Sequence, residues 1–336
     1  MKTFACLALA GVASAITMND IKFMDFLAAH GKDYQSVEEF NFRAALFAKK
    51  DAILARINAD PANTFTVGHN PMSDWTQEEQ NRMYGHVDEH EHSPALNMAD
   101  QAKSTGYVAV DTDDFVQSTT ATYGYASSID WKSKGCVTKV KYQGTCGSCW
   151  AFAAIAGIEG ANCVRSGQNI ILSEQQVLDC NPKGYGCGGG NTGTVFTWAI
   201  KQKIEKGSKY PYILPGKKGS CKQDNTGVNV SGKSNITRYS VSALKNAVTK
   251  GPAAVSVAAS ESVFNNYKTG VINNAGACGL NNNHAVTVIG YTSNYYIIKN
   301  SWDTWWGESG YAKIAINGDG NGVCGIQKDG TSPYIL

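Results

Sequence analysis

The distribution of cysteines is the sequence feature that most limits how this chain can fold. Nine of its ten cysteines lie between residues 136 and 324, and the tenth, Cys6, lies in an apolar leader. Setting aside Cys149, whose surroundings differ from those of the others, leaves eight cysteines, an even number that can pair completely. Disulfides persist along an oxidising route, so this pattern predicts passage through the secretory pathway.

The leader itself supports that route. Residues 1–15 read MKTFACLALAGVASA, with a positive start at Lys2, an apolar stretch over residues 4–12 and small residues at 13–15. This pattern predicts a signal peptide cut after Ala15. The apolar stretch is too short for a membrane anchor, so we expect no membrane span and delivery to a lysosome-like vacuole or to the outside of the cell.

Charge divides the rest of the chain into two parts. Residues 16–124 carry a net charge of −9, whereas residues 125–336 carry +10. The lysines of the second part are scattered, without a motif that interleaves aromatic and basic residues, so we expect no nucleic-acid binding. The opposite signs instead favour two parts of one precursor that face each other.

Residue patterns place elements in each part. Apolar residues recur at helical spacing over residues 20–60, and residues 31–36 should divide this stretch into two helices. Residues 85–124, which begin GHVDEHEHSP, are typical of a linker, and the composition changes at about Tyr125. Farther on, residues 149–164 predict one helix ended by Gly167, and the segments AAVSV, HAVTVIGY, YYIIKN and YAKIAI predict antiparallel strands. Helices followed by strands indicate an α+β domain with two lobes.

Cys149 combines the signals of a nucleophile. It lies at the start of the predicted helix, where free N–H groups and the helix dipole favour a thiolate and lower the pKa of the thiol. Spacing alone leaves two alternatives open, a further disulfide or a redox pair with Cys146. His284 favours catalysis, because it is the only histidine after residue 92 and cysteine catalysis needs a base. Asn300 can orient the imidazole, and Trp302 can shield that hydrogen bond from water.

Three segments around these residues resemble the signature regions of the papain family. They are QGTCGSCWAF, NHAVTVIGY and IKNSWDTWWGESGY, in the family's order and separation. The resemblance implies that Gln143 and the Cys149 N–H form an oxyanion hole, that Cys149 attacks, and that His284, oriented by Asn300, transfers the proton. Asp303 and Trp305 depart from the small residues usual in the family, on the leaving-group side of the site.

The early region resembles a cathepsin L-like propeptide. The residues that carry this resemblance are Glu39, Arg43, Phe47, Lys50, Leu54 and Asn58, followed by Gly68, Asn70, Met72 and Asp74. Lys50, Leu54 and Met72 replace the family's usual residues, and an ordinary amphipathic helix would also fit the first set. The implied organisation is a signal peptide at 1–15, an inhibitory propeptide with linker at 16–124 and a papain-like peptidase domain at 125–336.

The resemblance also implies disulfides and a substrate site. It pairs Cys146 with Cys187, Cys180 with Cys221 and Cys278 with Cys324, and elimination then pairs Cys136 with Cys163. The implied substrate-binding residues are Gly189, Gly190, Asn191, Thr192, Ser256, Asn283, Ala285, Trp302 and Asp329. Asp329 would form the floor of the pocket for the side chain two residues before the cut, where it would accept arginine besides leucine or phenylalanine. The alternative is that Asp329 points to solvent.

Together these features predict a papain-like two-lobe fold, a helical lobe plus an antiparallel β-rich lobe, preceded by a helical inhibitory propeptide. We expect an endopeptidase that acts through a thioester acyl-enzyme on proteins and peptides, is inhibited by its own propeptide, and works as a monomer. No metal or organic cofactor is expected, because the Cys and His residues lack zinc-ligand spacing. Sequons at Asn229 and Asn235 allow glycosylation. The rival functions are a catalytically silent binding protein on the same fold and a thiol-disulfide oxidoreductase using Cys146 and Cys149.

Overall fold

The computed structural model describes residues 17–88 and 125–336. The predicted signal peptide at 1–15 and most of the predicted linker lie outside these residues. No helix of the described ranges is long and apolar enough to cross a membrane.

The first described part is a small helical unit. Its elements are α1 (Met18–His30), α2 (Val37–Ala59), β1 (Phe65–Val67) and α3 (Gln77–Asn81). Gly31 ends α1 in the left-handed conformation with φ of 60°, and Ser36 caps α2, so the predicted break between two helices is confirmed. An apolar core of Phe23, Phe26, Leu27 and Phe47 holds the two helices together.

Ion pairs anchor the same unit. Arg43 on α2 donates to Glu39 at 2.6 Å and to both carboxylate oxygens of Glu79 at 2.5 and 2.7 Å. The fully buried Asp74 accepts hydrogen bonds from Lys32 and Tyr34. The spaced charged residues of the propeptide pattern therefore join α2 to the segment that leads toward the second part.

The second part has a helical lobe formed around α4. Its helices are α4 (Cys149–Ser166), α5 (Glu174–Cys180) and α6 (Thr192–Lys201). Gly167 ends α4 with φ of 72°, as its place in the sequence predicted. Thirteen residues of α4 are buried, because small and apolar side chains cover nearly its whole circumference. The helix is thus the central element of this lobe.

The other lobe is built on a sheet. Its strands are β2 (Ile129–Asp130), β3 (Gly232–Asn235), β4 (Ala253–Val257), β5 (Tyr267–Ile272), β6 (His284–Tyr291), β7 (Tyr295–Lys299), β8 (Tyr311–Ala315) and β9 (Gly330–Tyr334). The order is β1-β5-β8-β7-β6-β4-β9-β3, with β2 also paired to β6, and all described pairs are antiparallel except β5 with β8. Three short helices lie between the strands, α7 (Val241–Lys250), α8 (Ser262–Asn265) and α9 (Ala275–Cys278). The fully buried strands β4 and β6 pack against α4, so α4 forms the contact between the two lobes.

The first strand of this sheet comes from the small helical unit. β1 pairs with β5 so that Phe65 faces Gly270 and Thr66 faces Thr269. Two further hydrogen bonds join Thr64 to Val271. The Thr64 hydroxyl donates to the Val271 carbonyl at 2.7 Å, and the Val271 N–H donates to the Thr64 carbonyl at 3.0 Å. Gly270 has φ of +91°, and a Cβ there would lie 2.4 Å from the Thr64 carbonyl oxygen. The unit therefore adds a strand to the edge of the sheet.

Four disulfides hold the second part together, in the pairs expected from the sequence. They join Cys136 to Cys163, Cys146 to Cys187, Cys180 to Cys221 and Cys278 to Cys324. Cys149 is the free cysteine of the described ranges.

Candidate active site

Cys149 is the first residue of α4 and is fully buried. Ser148 stands before it but makes no side-chain capping bond, and its hydroxyl instead lies 2.9 Å from that of Tyr212. No acidic residue lies in the first turn of α4. The positive end of the helix dipole therefore acts on the sulfur without competition from a capping side chain.

His284 begins β6 and reaches Asn300 just after β7. The distance from His284 Nε2 to Asn300 Oδ1 is 2.8 Å. An amide oxygen only accepts, so Nε2 carries the ring proton and Nδ1 is left as the basic nitrogen. The ring of Trp302 lies against the imidazole with a centroid distance of 4.5 Å and is fully buried, so the His284–Asn300 bond is shielded from water.

Gln143 holds its amide between fixed partners. Its Oε1 accepts from the Ser301 hydroxyl at 2.7 Å, which leaves Nε2 to donate to the Cys146 carbonyl at 2.7 Å and to the Met83 carbonyl at 2.7 Å. An N–H group presented in this way can stabilise an oxyanion. Sequence reasoning missed Ser301, although its position directly after Asn300 was a signal.

Residues 83–88 occupy the groove between the two lobes. The Gly85 carbonyl accepts from the Gly190 N–H at 2.8 Å, and the Val87 N–H donates to the Gly190 carbonyl at 3.0 Å. The His86 N–H donates to the Asn283 carbonyl at 3.0 Å, and Asn191 Nδ2 donates to the Val87 carbonyl at 2.9 Å. The segment forms a parallel bridge at Gly190. Main-chain groups on both walls of the groove are therefore already engaged.

The assignment of residues 85–124 to a linker was wrong for residues 85–88. Polar composition indicated a loose segment, but backbone hydrogen bonds to the groove order it independently of side-chain type. Gly85 fits because it has no side chain, since a Cβ would lie 1.8 Å from the Gly147 carbonyl oxygen. His90 and His92, from the same predicted linker, lie outside the described residues.

The expected lowering of the Cys149 pKa is also wrong for this covered state. Burial raises the pKa of the thiol to about 11, although the N–H groups of Ala285, Gly85 and Trp150 act in the opposite direction. Burial lowers the pKa of His284 to about 4, against the hydrogen bond to Asn300. Both changes have one cause, because removing water from the groove penalises the charged forms. Thiol and imidazole are therefore both neutral here at pH 7.

The structure also gives the positions of other residues expected to bind substrate. Gly189, with φ of 117°, precedes Gly190, and Thr192 begins α6. Ser256 and Ala285 face each other in the pairing of β4 with β6, and both are buried.

Asp329 lies close to this set and next to the bound segment. Its carboxylate is 3.4 Å from His86 Nε2, and its side chain is 18% exposed. A cavity of about 260 Å³ lies between Asp329, Asn191, Arg238 and neighbouring residues. Charging His86 would therefore not weaken the contact between the two parts, because a charged imidazole beside a carboxylate is attracted to it.

A redox pair of Cys146 with Cys149 is excluded in this structure, because Cys146 is bonded to Cys187. Within the described ranges no group of three or more His, Cys, Asp or Glu side chains could hold a metal ion.

Comparisons with known proteins match this architecture. Residues 125–334 match the papain family cysteine protease domain, and residues 23–80 match the cathepsin propeptide inhibitor domain (I29). Papaya proteinase 4 of Carica papaya is 32% identical over 320 residues, covering 93% of this chain and 86% of the relative. The recombinant stem bromelain precursor has a TM-score of 0.79 at 34% identity, covering 94% of this chain and 99% of its own. The proform of the ragweed pollen cysteine protease Amb a 11 has a TM-score of 0.80 at 28% identity, covering 95% and 93%. The likeness thus extends over both parts of the chain.

Proposed function

This chain belongs to the papain family of cysteine proteases, and from that premise we propose that Cys149 is its nucleophile and His284 its general base. It is a cysteine protease with an inhibitory propeptide domain. The observation that carries our assignment is the Gln143 amide, which holds the Met83 carbonyl oxygen at 2.7 Å beside the Cys149 helix start. A site that already binds one peptide carbonyl in this way can bind the carbonyl of a substrate.

The proposed chemistry uses the groups in turn. His284 Nδ1 takes the thiol proton, and the Cys149 sulfur attacks the carbonyl carbon, so that the carbonyl electron pair moves to oxygen. Gln143 Nε2 and the Cys149 N–H stabilise this oxyanion. His284 then protonates the leaving nitrogen, the C–N bond breaks and a thioester remains. Water, deprotonated by His284, hydrolyses the thioester to a carboxylic acid and the free thiol. Asn300 keeps Nδ1 available throughout by holding the proton on Nε2.

Release of the propeptide would change the charge state of the pair. Water entering the groove removes the desolvation that keeps the Cys149 pKa high and the His284 pKa low. With the field of the α4 N-terminus unopposed, the proton moves from sulfur to imidazole and forms a thiolate–imidazolium pair. Covering the groove therefore inhibits in two ways, by occupying it and by keeping the nucleophile protonated.

Substrate selection at the Asp329 pocket is a further part of the proposal. In this proposal Asn191, Thr192, Ser256 and Ala285 form the walls of a partly polar site that ends at the Asp329 carboxylate. The aliphatic part of an arginine side chain would pack against these walls, and its guanidinium would pair with Asp329. The contact of His86 with Asp329 supports this, because a nitrogen-bearing ring already lies beside that carboxylate.

The substrate class, oligomeric state and location of the protein are also part of the proposal. We propose an endopeptidase for protein and peptide substrates, working as a monomer, made with a signal peptide and delivered to a lysosome-like vacuole or secreted. Both sequon asparagines, Asn229 and Asn235, are exposed in the described structure, which is compatible with glycosylation. Processing near Tyr125 would separate the two parts.

Thiol labelling tests this function directly. Iodoacetamide should label Cys149 slowly in the precursor and rapidly after maturation, with loss of peptidase activity in proportion to labelling, as peptide mapping can show. A disulfide-bonded cysteine would not react, and a silent binding protein would show no activity to lose. Fast labelling of Cys149 with full activity retained would exclude it as the nucleophile.

A further inference from the structure

The propeptide places the ring of a tyrosine, Tyr84, near His284 and Trp302. The ring of Tyr84 lies 6.3 Å from that of His284 and 6.2 Å from that of Trp302, measured between centroids. Its hydroxyl donates to Asn265 Oδ1 at 2.9 Å and approaches the Ala259 carbonyl at 3.2 Å. Burial raises the pKa of this phenol, so it remains a donor at any working pH. The peptidase domain thus has a pocket with aromatic walls and a polar end.

Asn265 forms the polar end of that pocket. It is buried at the end of α8, and its Nδ2 donates to Gln80 Oε1 at 3.1 Å and to the Ser260 carbonyl at 3.2 Å. Tyr84 and Gln80 both belong to the propeptide. When the propeptide leaves, Asn265 keeps the bond to Ser260, and its Oδ1 becomes available as an acceptor at a fixed position.

Location decides which substrate residue meets this pocket. Gly190 binds Gly85 and Val87 through main-chain hydrogen bonds, whereas Tyr84, the residue before them, places its ring near His284 and Trp302. Because His284 is proposed to protonate the leaving amine, Trp302 and Tyr84, whose rings lie near His284, mark the leaving-group side. A side chain that follows the cut would enter between Trp302, His284 and Asn265.

We propose that Asn265 makes this protease selective for tyrosine directly after the cut. The aromatic walls accept any aromatic side chain, and Asn265 Oδ1 accepts a hydrogen bond only from a ring that carries a hydroxyl at its far end. Phenylalanine would leave that oxygen without a donor from the substrate, a difference of one neutral hydrogen bond that corresponds to about three- to tenfold in selectivity. The proposal rests on the proposed function, because it concerns the amine side of the same thioester chemistry.

Acyl transfer measures this pocket apart from the rest of the site. The matured enzyme is given a peptide ester, and tyrosinamide, phenylalaninamide or O-methyltyrosinamide competes with water for the thioester. The amine attacks the thioester carbonyl, a peptide bond forms, and the Cys149 thiol is released. The ratio of peptide to acid then reports amine binding and does not depend on how fast the acyl-enzyme forms.

We expect tyrosinamide to exceed phenylalaninamide about three- to tenfold, and O-methyltyrosinamide, which has no donor, to fall to the level of phenylalaninamide or below. Asn265→Leu should abolish the difference, whereas Asn294→Leu, in an exposed turn, should keep it. Equal ratios in the wild type, or a preference retained in Asn265→Leu, would overturn the proposal. The wild-type comparison decides even if Asn265→Leu does not fold. Absence of any turnover of the ester would instead count against the proposed function.

Discussion

The peptidase domain and the propeptide are held together by different kinds of interaction. Four disulfides staple the peptidase domain, and a buried Lys141 pairs with Glu159 at 2.7 Å and Glu174 at 2.5 Å inside it. The described propeptide has a core of four apolar side chains and no disulfide, and its ion pairs are partly open to water except for that of Lys32 with the buried Asp74. Covalent links do not respond to acid, whereas ion pairs that contain carboxylates do. The peptidase domain is therefore built to persist, and the propeptide to be released.

The largest expected effect tests whether release needs the enzyme's own chemistry. Cys149→Ala should leave the precursor folded and uncleaved and lower kcat/KM by at least about 10⁴-fold, because residual oxyanion stabilisation cannot replace the nucleophile. His284→Ala should be nearly as severe, and Asn300→Ala should cost less, since it orients the base without reacting. Hydrolysis of a peptide substrate and gel analysis of the precursor measure both effects. Retained turnover in Cys149→Ala would refute the assigned chemistry.

The second prediction tests how far the disulfides stabilise the peptidase domain. Removing the Cys136–Cys163 link, which closes a loop of 27 residues, should lower the free energy of unfolding of the peptidase domain by about 2–4 kcal/mol. Denaturant unfolding of Cys136→Ala/Cys163→Ala would show this. The pH at which the propeptide is released should not move, because that link lies wholly within the peptidase domain. A shift in release as large as the shift in unfolding would show that the two parts are not held independently.

The third prediction concerns the effect of acid on the ion pairs of the propeptide. The hydrogen bonds from Arg43 hold the pKa of Glu79 at about 2, below its usual value of 4.5. A depressed carboxyl pKa adds stability that is fully present above about pH 4.5 and is lost as the pH falls toward about 2. Autoprocessing near Tyr125 should therefore accelerate below about pH 5, by roughly tenfold or more between pH 7 and pH 4 as this and other carboxylates begin to titrate.

A matched pair of variants isolates that ion pair. Arg43→Gln should speed processing at pH 7, because Glu79 loses its bidentate partner. Arg82→Gln removes an exposed pair with Glu78 on the same unit and should change little. Precursor disappearance on gels gives the rates. Processing that is as fast at pH 7 as at pH 4 in the wild type would mean that the release does not depend on carboxylate charge.

The smallest expected effect lies in the substrate pocket. Asp329→Ala should reduce the preference for arginine relative to leucine, two residues before the cut, by about three- to tenfold, because the guanidinium loses a charge-assisted partner. Values of kcat/KM for two substrates that differ only at that position measure it, with Asp224→Ala in the helical lobe as control. An unchanged ratio would place Asp329 outside the pocket.

Periodicity made much of the fold predictable. The break between α1 and α2, the end of α4 at Gly167 and the strands β4, β6, β7 and β8 follow from local patterns that the structure preserves. The disulfide partners followed from resemblance, and the one extra pair from elimination. Local rules succeeded for the helix ends and the strands because these depend on residues close in sequence, and the last disulfide followed because the remaining cysteines numbered two.

The charge state of the site could not be read in the same way. The pKa of Cys149 depends on whether Gly85 and its neighbours cover it, and that contact joins residues more than sixty positions apart. The role of residues 83–88 was hidden for a related reason, because their backbone makes the contacts and their side chains have no characteristic pattern. Composition described residues 85–88 as part of a linker, whereas the groove determines their conformation.

The pairing of β1 with β5 has a consequence for the matured enzyme. When the propeptide is removed, β5 changes from an interior strand to the edge of the sheet, and the main-chain groups that bound Thr64 and Phe65 face water. An edge strand of six residues could pair with the same strand of a second molecule. The exposed Lys268 and the left-handed Gly270 interrupt its regularity, as edges that avoid self-association commonly do. We therefore expect the glycine that admits the propeptide strand also to disfavour pairing of β5 with a second molecule after that strand is lost.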